Sequence, residues 1–315
     1  VRRGVNLLRR TSKALVLERP EYYIQTGSMF ENPYGVPPDE IVRLIAENPA
    51  EVVAQVVFGK YVESSGLVFT GELIQNLFDR ELPRVTGNSW ADKTALDHAE
   101  RQFRQYGRMN NRFYGGIDFA RQTDYTVITV IDTLHLPARL VYFKRLNRVP
   151  WDSIYAEVGR AVALFGPNFL GDSTGPGGDA ALDALEGRVY CPQHHRANLA
   201  GTRCQKPDGS AMECKPEDYL ALSCVEGFQF TGSTKKELVD HLRLVLGVGY
   251  DPNDPAREFG WLRSPPIVQL EEELSFYAWD DKRLVTDCLF SLALATWHGL
   301  EDRVQDAVIG SIFGR

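Results

Sequence analysis

The segment Tyr114–Asp132, YGGIDFARQTDYTVITVID, decides how the rest of the chain is read. Two glycines lead into Ile117 and Asp118, a turn-like ARQTD follows, and the β-branched run Thr126–Ile131 completes an antiparallel hairpin. The hairpin carries one acid that matters. Apolar neighbours and high β-propensity put Asp118 inside a sheet, where an uncompensated charge is costly and a metal ion is a common partner. The competing reading makes Asp118 a cap that accepts backbone N–H groups at the hairpin turn. What else the chain supplies must choose between them.

Downstream, a strand is expected at Arg139–Phe143 and a helix at Trp151–Phe165, where Ile154, Val158 and Val162 share one apolar face. A short apolar strand then runs into Asp172 and the turn STGPGG, ahead of a helix over Ala180–Leu185. An acid at the C-terminal tip of a strand, with glycines leaving room above it, is a common way for an open α/β sheet to present chemistry, though Asp172 is equally suited to capping its turn. Another strand is expected at Val225–Thr231 and a helix at Lys235–Leu246, with Lys235 in its first turn; a solvent-facing lysine is the plain alternative. Leu284–Trp297 reads as a helix apolar nearly all round and therefore buried. Its first turn holds Asp287, where the helix dipole favours an acid for structural reasons alone. A helix this apolar must nevertheless pack on the sheet, which carries Asp287 towards the other two acids. Asp118, Asp172 and Asp287, in the order strand, strand, helix, are the hard oxygen ligands that two Mg²⁺ or Mn²⁺ ions need for phosphodiester hydrolysis.

The remaining sequence bounds this reading. The chain has 315 residues, 43% hydrophobic and 24% charged, room for two modest domains of a soluble protein. It has no apolar run long enough to span a bilayer and no secretory signal, so no membrane role and a cytosolic setting are expected. Five cysteines, an odd number, fit a reducing compartment. The start at Val1, in VRRGVNLLRR, reads as the middle of a longer chain. Net charge of −7 and a pI near 5.5 argue against a surface that binds nucleic acid everywhere. A local basic strip is present: Arg101, Arg104 and Arg108 fall on one helical face, with Arg112 just beyond, and offer phosphate contacts or merely a solvated face paired with Glu100. Helices are expected from near Pro38 and over residues 49–61. No GxxxxGK[ST] phosphate loop occurs; Gly232–Lys236 lacks a glycine directly before its lysine, so ATP hydrolysis by this chain is not expected.

The blocks GGIDFARQTDYTVITVID, FLGDSTGPGG, FQFTGSTKKELVDHL, the EEEL of residues 271–274 and VTDCLFSLALA together resemble the C-terminal nuclease domain of the large terminase subunit of tailed bacteriophages. YYIQTGSMFENPYGVPPDE and GKYVESSGLVF resemble the end of the same family's ATPase domain. The resemblance implies an α/β fold: a ribonuclease H-like mixed sheet flanked by helices, preceded by a small α/β remnant of an ATPase domain. It divides the chain into an ATPase remnant at 1–85, a linker with the basic helix at 86–112 and the nuclease domain at 113–315. It further implies that Asp118, Asp172 and Asp287 bind two Mg²⁺ or Mn²⁺ ions, with Lys235 beside them, and that the substrate is double-stranded concatemeric phage DNA, cut at the start and end of packaging. The implied partners are the portal protein and the small terminase subunit, and the implied location is the host cytoplasm, transiently at the procapsid portal. The family commonly has two adjacent acids at the third position, whereas here Thr286 precedes a single Asp287, so weak occupancy of one ion site without DNA is expected; Asp280 and Asp281 lie too far along a loop to substitute. A non-catalytic module that docks DNA or a motor, and a resolvase- or transposase-type nuclease of the same fold class, are the alternatives.

One segment departs from that family pattern. Residues 190–225 form a long insertion holding Cys191, His194, Cys204 and Cys214, four soft or borderline ligands suited to a structural Zn²⁺. The paired CxxC knuckles of a strong zinc signature are missing, and reduced cysteines in a surface insertion are the alternative.

Overall fold

The computed structural model describes Pro37, Glu40, Ile41, Val57 and residues 67–106, 112–120, 125–206, 208–251, 254–279 and 285–313. The expected helix over 49–61 and nearly all of the one from Pro38 lie outside the described residues, as do Arg108, Asp280 and Asp281. The chain divides into two units, Val1–Gly71 with Ser275–Lys282, and Glu72–Leu274 with Arg283–Arg315. Within the first, Val68 N–H donates to the Tyr277 carbonyl at 3.0 Å and the Phe69 and Tyr277 rings meet at 6.0 Å. The second unit carries the sheet.

Its elements, in chain order, begin with α1 (Gly71–Leu77), β1 (Ser89–Ala91), α2 (Lys93–Tyr106), β2 (Phe113–Asp118), β3 (Tyr125–Asp132) and β4 (Ala138–Asn147). Then come α3 (Trp151–Phe165), β5 (Asn168–Asp172), α4 (Gly175–Glu186), β6 (Arg188–Cys191), β7 (Arg196–Leu199), β8 (Leu220–Ala221) and β9 (Val225–Phe228). The last are α5 (Gly232–Leu246), the hairpin β10 (Val248–Asp251) and β11 (Asp254–Gly260), β12 (Leu262–Arg263), α6 (Val268–Phe276) and α7 (Asp287–Phe313). Among the described residues no helix is long and apolar enough to cross a membrane.

The main sheet runs β1-β4-β3-β2-β5-β9, with β12 added alongside β4. β4, β3 and β2 are successive antiparallel neighbours, and β2, β5 and β9 are parallel. Three antiparallel strands continued by two parallel ones, with β2 at the junction, form the ribonuclease H-like mixed sheet that the resemblance implies. Of the segment 86–112, β1 pairs with β4 and α2 packs on the core, so both belong with the sheet.

Side-chain alternation sorts the two faces. Phe113, Ile117, Ile128, Val130, Tyr142 and Phe169 point to the back, into a core closed by α3 and by Ala95 and Ala99 of α2. The front receives α7, whose residues from Asp287 to Thr296 are all buried. A helix can lie this close only because β2 presents a glycine. A Cβ on Gly116 would stand 1.9 Å from the Ser291 carbonyl oxygen and 2.7 Å from Ala295 N, both backbone atoms that cannot swing aside. The Ser291 hydroxyl completes the contact, donating to the Gly116 carbonyl at 2.9 Å and lying 2.8 Å from the Thr129 hydroxyl.

Arg112, read as a neighbour of the basic strip, is instead buried. It grips Asp132 with two donations, at 2.9 and 2.6 Å, and Gln102 with a third at 2.8 Å, tying α2 to the start of β2.

Gly116→Ala is expected to destabilise the fold by about 3 kcal/mol, because overpacking against backbone cannot be relieved by a rotamer change. A urea midpoint within error of wild type would contradict this account of the helix–sheet contact.

Candidate active site at the end of the central strands

β2 and β5 pair in register with Ile117 opposite Gly171, so Asp118 and Asp172 follow at adjacent positions as the two parallel strands end. Neighbouring strands lie about 4.8 Å apart, and residues opposite one another share a face. Both acids fall on the front by alternation, since Gly116 contacts α7 while Ile117 and Phe169 enter the back core. Asp287 opens α7 on that same face. Its Oδ2 accepts the Tyr125 N–H at 2.8 Å, pinning the helix start to the first residue of β3, two places from the Val127 that pairs with Asp118. Residues far apart along the chain thus come to one end of the sheet, in the order Asp172, Asp118, Asp287 across it.

Capping explains part of this arrangement. The hairpin end is closed by Thr126, which takes the Ala120 N–H at 3.0 Å and returns its hydroxyl to the Ala120 carbonyl at 2.8 Å. Asp172 does cap its turn: Oδ1 accepts the Thr174 N–H at 2.7 Å. Burial pushes this carboxyl above its usual range, against the pull of Thr174 and of the Lys235 charge. Lys235 enters from α5, whose N-terminus is closed by a capping box between Thr231 and Thr234. Its ammonium sits 4.5 Å from the centre of the Phe290 ring, one turn along α7 from Asp287. Lys235 is solvent-exposed, as the plain alternative had it, yet its charge lies close enough to act on Asp172.

Arg101 and Arg104, the members of the basic strip among the described residues, do not join the acids. α2 lies on the back core and meets the hairpin at Arg112, a full length of β2, roughly 17 Å, from Asp118. Arg101 donates to the Asp97 carbonyl at 3.1 Å and Arg104 pairs with Glu100, the solvated arrangement named as the alternative.

Two residues beside the acids escaped the sequence reading. Glu273 of α6 is 4% exposed and accepts the Leu289 N–H, in the first turn of α7, at 2.8 Å. Burial pushes its carboxyl up to about 8; the Leu289 N–H draws it down, and the nearby Asp287 charge raises it further. Arg145, opposite Val127 and hence also on the front, lies with its guanidinium 3.4 Å from the centre of the Tyr125 ring. Alternation along β4 was the only available signal for Arg145. Glu273 offered none, since EEEL contains three acids and burial selects one.

In its donor chemistry the cluster fits divalent hard cations: three carboxylates, no sulfur and no imidazole. It forms an open row rather than a cage. Among the described residues, the group of four whose ligand atoms all lie within 4.8 Å of one another is Cys191, His194, Cys204 and Cys214, not the aspartates.

Solved structures of similar architecture are phage terminases. The large terminase nuclease from thermophilic phage G20c, crystallised with bound magnesium, superposes with a TM-score of 0.46 at 18% identity, over 74% of this chain and 97% of that one. The Thermus phage P74-26 large terminase nuclease domain gives 0.42 at 17%, over 74% and 96%. The large terminase of another thermophilic bacteriophage gives 0.39 at 10%, over 84% of this chain and 53% of that one. No protein-family model matches the sequence, and no curated protein does. The chemistry therefore rests on the side chains described above.

Glu273 makes the metal-free protein sensitive to pH. The folded state holds a proton up to about pH 8 that the unfolded chain releases near 4.5, so this contribution is complete below 4.5 and is lost as pH rises through 8. His241, buried and held down to about 4 from 6.5, acts in the opposite sense, but only below 6.5. With a chelator present, the urea midpoint of wild type is expected to fall between pH 6.5 and 8 more steeply than that of Glu273→Gln; parallel curves would show that Glu273 is already ionised.

Proposed function

We propose that this chain is a metal-dependent DNA endonuclease. The observation that carries the reading is the meeting of Asp118, Asp172 and Asp287 on one face at the ends of β2 and β5, with the helix bearing Asp287 locked to β2 through Gly116. Two Mg²⁺ or Mn²⁺ ions bound to such acids would supply an activated water and a counter-charge for the leaving oxygen. Asp118, in the middle of the row, is the acid both ions would share. Asp172 and Asp287 serve as the outer ligands, each oriented beforehand by a backbone N–H. Lys235 holds positive charge beside Asp172, where a phosphate of the substrate would approach. A cysteine or serine nucleophile has no part in this scheme.

The biological setting rests on the sequence blocks that resemble the terminase nuclease. The substrate is then double-stranded, concatemeric phage DNA, cut at the start and end of genome packaging. The portal protein and the small terminase subunit are the partners, and the site of action is the host cytoplasm at the procapsid portal. The single acid after Thr286 gives the outer ion near Asp287 the weaker hold. Because Asp172 and Asp287 also make structural bonds, a docking module that binds DNA without cutting it is the competing reading.

Asp118→Asn is expected to remove plasmid cleavage in Mn²⁺ while leaving the circular dichroism spectrum unchanged, and Lys235→Ala to slow cleavage roughly 10- to 100-fold. Wild-type protein that binds duplex but cuts it in neither Mg²⁺ nor Mn²⁺ would favour the docking module. Faster cutting of branched than of linear DNA would favour a resolvase.

A further inference from the structure

We infer that the insertion between α4 and β9 is a zinc module, with Cys191, His194, Cys204 and Cys214 as a closed Cys₃His site for one structural Zn²⁺. The four ligand atoms lie within 4.8 Å of one another. In a tetrahedral site with Zn–S near 2.3 Å and Zn–N near 2.05 Å, ligand atoms stand roughly 3.6 to 3.8 Å apart. The Cys191 Sγ to His194 Nδ1 distance of 3.5 Å already matches such an edge.

Two arms build the site. In the first, β6 ends at Cys191 and the turn to β7 brings His194 back beside it, helped by the left-handed backbone of His195 at φ 53°. In the second, residues 204–212 fold on themselves. Gln205 bridges Ala211, Lys206 N–H reaches the Ser210 carbonyl at 2.8 Å, and Met212 N–H reaches the Cys204 carbonyl at 2.7 Å. That closure sets Cys204 beside Cys214. Each arm is a hairpin that delivers two ligands, so the module does with Cys-x₂-His and a nine-residue loop what paired CxxC knuckles do elsewhere.

The surroundings suit thiolates. Asn198 Nδ2 donates to Cys204 Sγ at 3.1 Å, the Tyr219 hydroxyl lies 2.7 Å from Cys214 Sγ, and it donates to Cys204 Sγ at 3.9 Å. Polar donors aimed at ligating sulfur are the outer shell of a thiolate metal site. Stability calls for the ion as well. The sheet β7-β6-β8 has strands of four, four and two residues, and the described residues between 200 and 219 add a single turn of 3₁₀ helix, Pro216–Asp218. A fold this small lacks the core to order itself without a staple. Cys191 and Cys204 are nevertheless 1% and 0% exposed.

Placement makes the role structural. Tyr190, next to Cys191, lays its ring on Gly159 of α3, where a Cβ would come within 2.3 Å, and so docks the module on the back of the sheet. The acids are on the front. The chain leaves the module directly into β9, beginning with the Cys224 carbonyl, which accepts the Phe169 N–H at 2.9 Å. The ion therefore steadies the edge strand that flanks β5 and its Asp172.

The test is metal analysis of the whole chain, expressed with added zinc and purified without chelator. About one zinc per chain is expected, kept by Asp118→Asn and lost by Cys204→Ser. Wild type with far less than one zinc per chain, or zinc that leaves with Asp118→Asn and stays with Cys204→Ser, overturns the assignment. Should Cys204→Ser fail to fold, wild type loaded with Co²⁺ decides. Intense visible bands with a sulfur-to-cobalt charge-transfer band in the near ultraviolet support the site, and the weak spectrum of an all-oxygen cobalt complex overturns it.

Discussion

Ser291 and Gly116 meet backbone to backbone, and everything at the acid end of the sheet depends on that contact. Most helices stand about 10 Å off a sheet because side chains fill the space between. Here the strand gives up its side chain and the helix comes closer, held by a hydroxyl that reaches both β2 and β3. Four residues before Ser291, one helical turn, stands Asp287. Its carboxylate needs no long reach to arrive beside the strand ends; the helix position supplies it. A charged group in the first turn of an otherwise apolar, buried helix is then explained by where that turn lies.

The structural bonds of the acids are compatible with the chemical role proposed for them. An ionised carboxylate has about four acceptor positions, and one backbone N–H uses one of them. The bonds from Thr174 to Asp172 and from Tyr125 to Asp287 thus fix the carboxylates without using all four positions themselves. Charge is managed in the same region. Lys235 and Arg145 bring positive charge to the front face, each with an aromatic ring beneath it. Glu273, kept neutral by burial, caps the helix start without adding to the repulsion.

Much of this was legible in the sequence because the deciding signals are local. The β-branched run specified β3, the spacing of Ile154, Val158 and Val162 specified α3, and the unbroken apolar stretch after Asp287 announced a buried helix. Asp118, Asp172 and Asp287 stood out as acids in apolar company. What escaped depends on partners distant in sequence. Nothing in the Arg101 and Arg104 spacing reveals that Ala95 and Ala99 turn their helix to the back of the sheet. Arg112 was read as one more surface cation because Asp132, its partner, lies twenty residues away. The Cys and His residues were visible as a composition, but only folding shows two hairpins bringing them to one point.

The two proposed metal sites differ in coordination chemistry and lie on opposite faces of the sheet. Zinc binds most nitrogen, sulfur and oxygen sites more tightly than magnesium or manganese does, so an open row of carboxylates in the cell is exposed to the wrong ion. A thiolate site elsewhere in the chain satisfies its own zinc without competing for magnesium, because soft ligands hold hard cations poorly. The reverse error is blocked by geometry: the Cys₃His ligands sit behind the sheet, and no sulfur from that module lies on the face that carries the acids. The proposed zinc module also leads into the strand next to Asp172, so an ion held in that closed site would help position this acid. If both proposed sites are filled, the chain would keep a tightly held structural ion and weakly held hydrolytic ions apart by ligand type and by face.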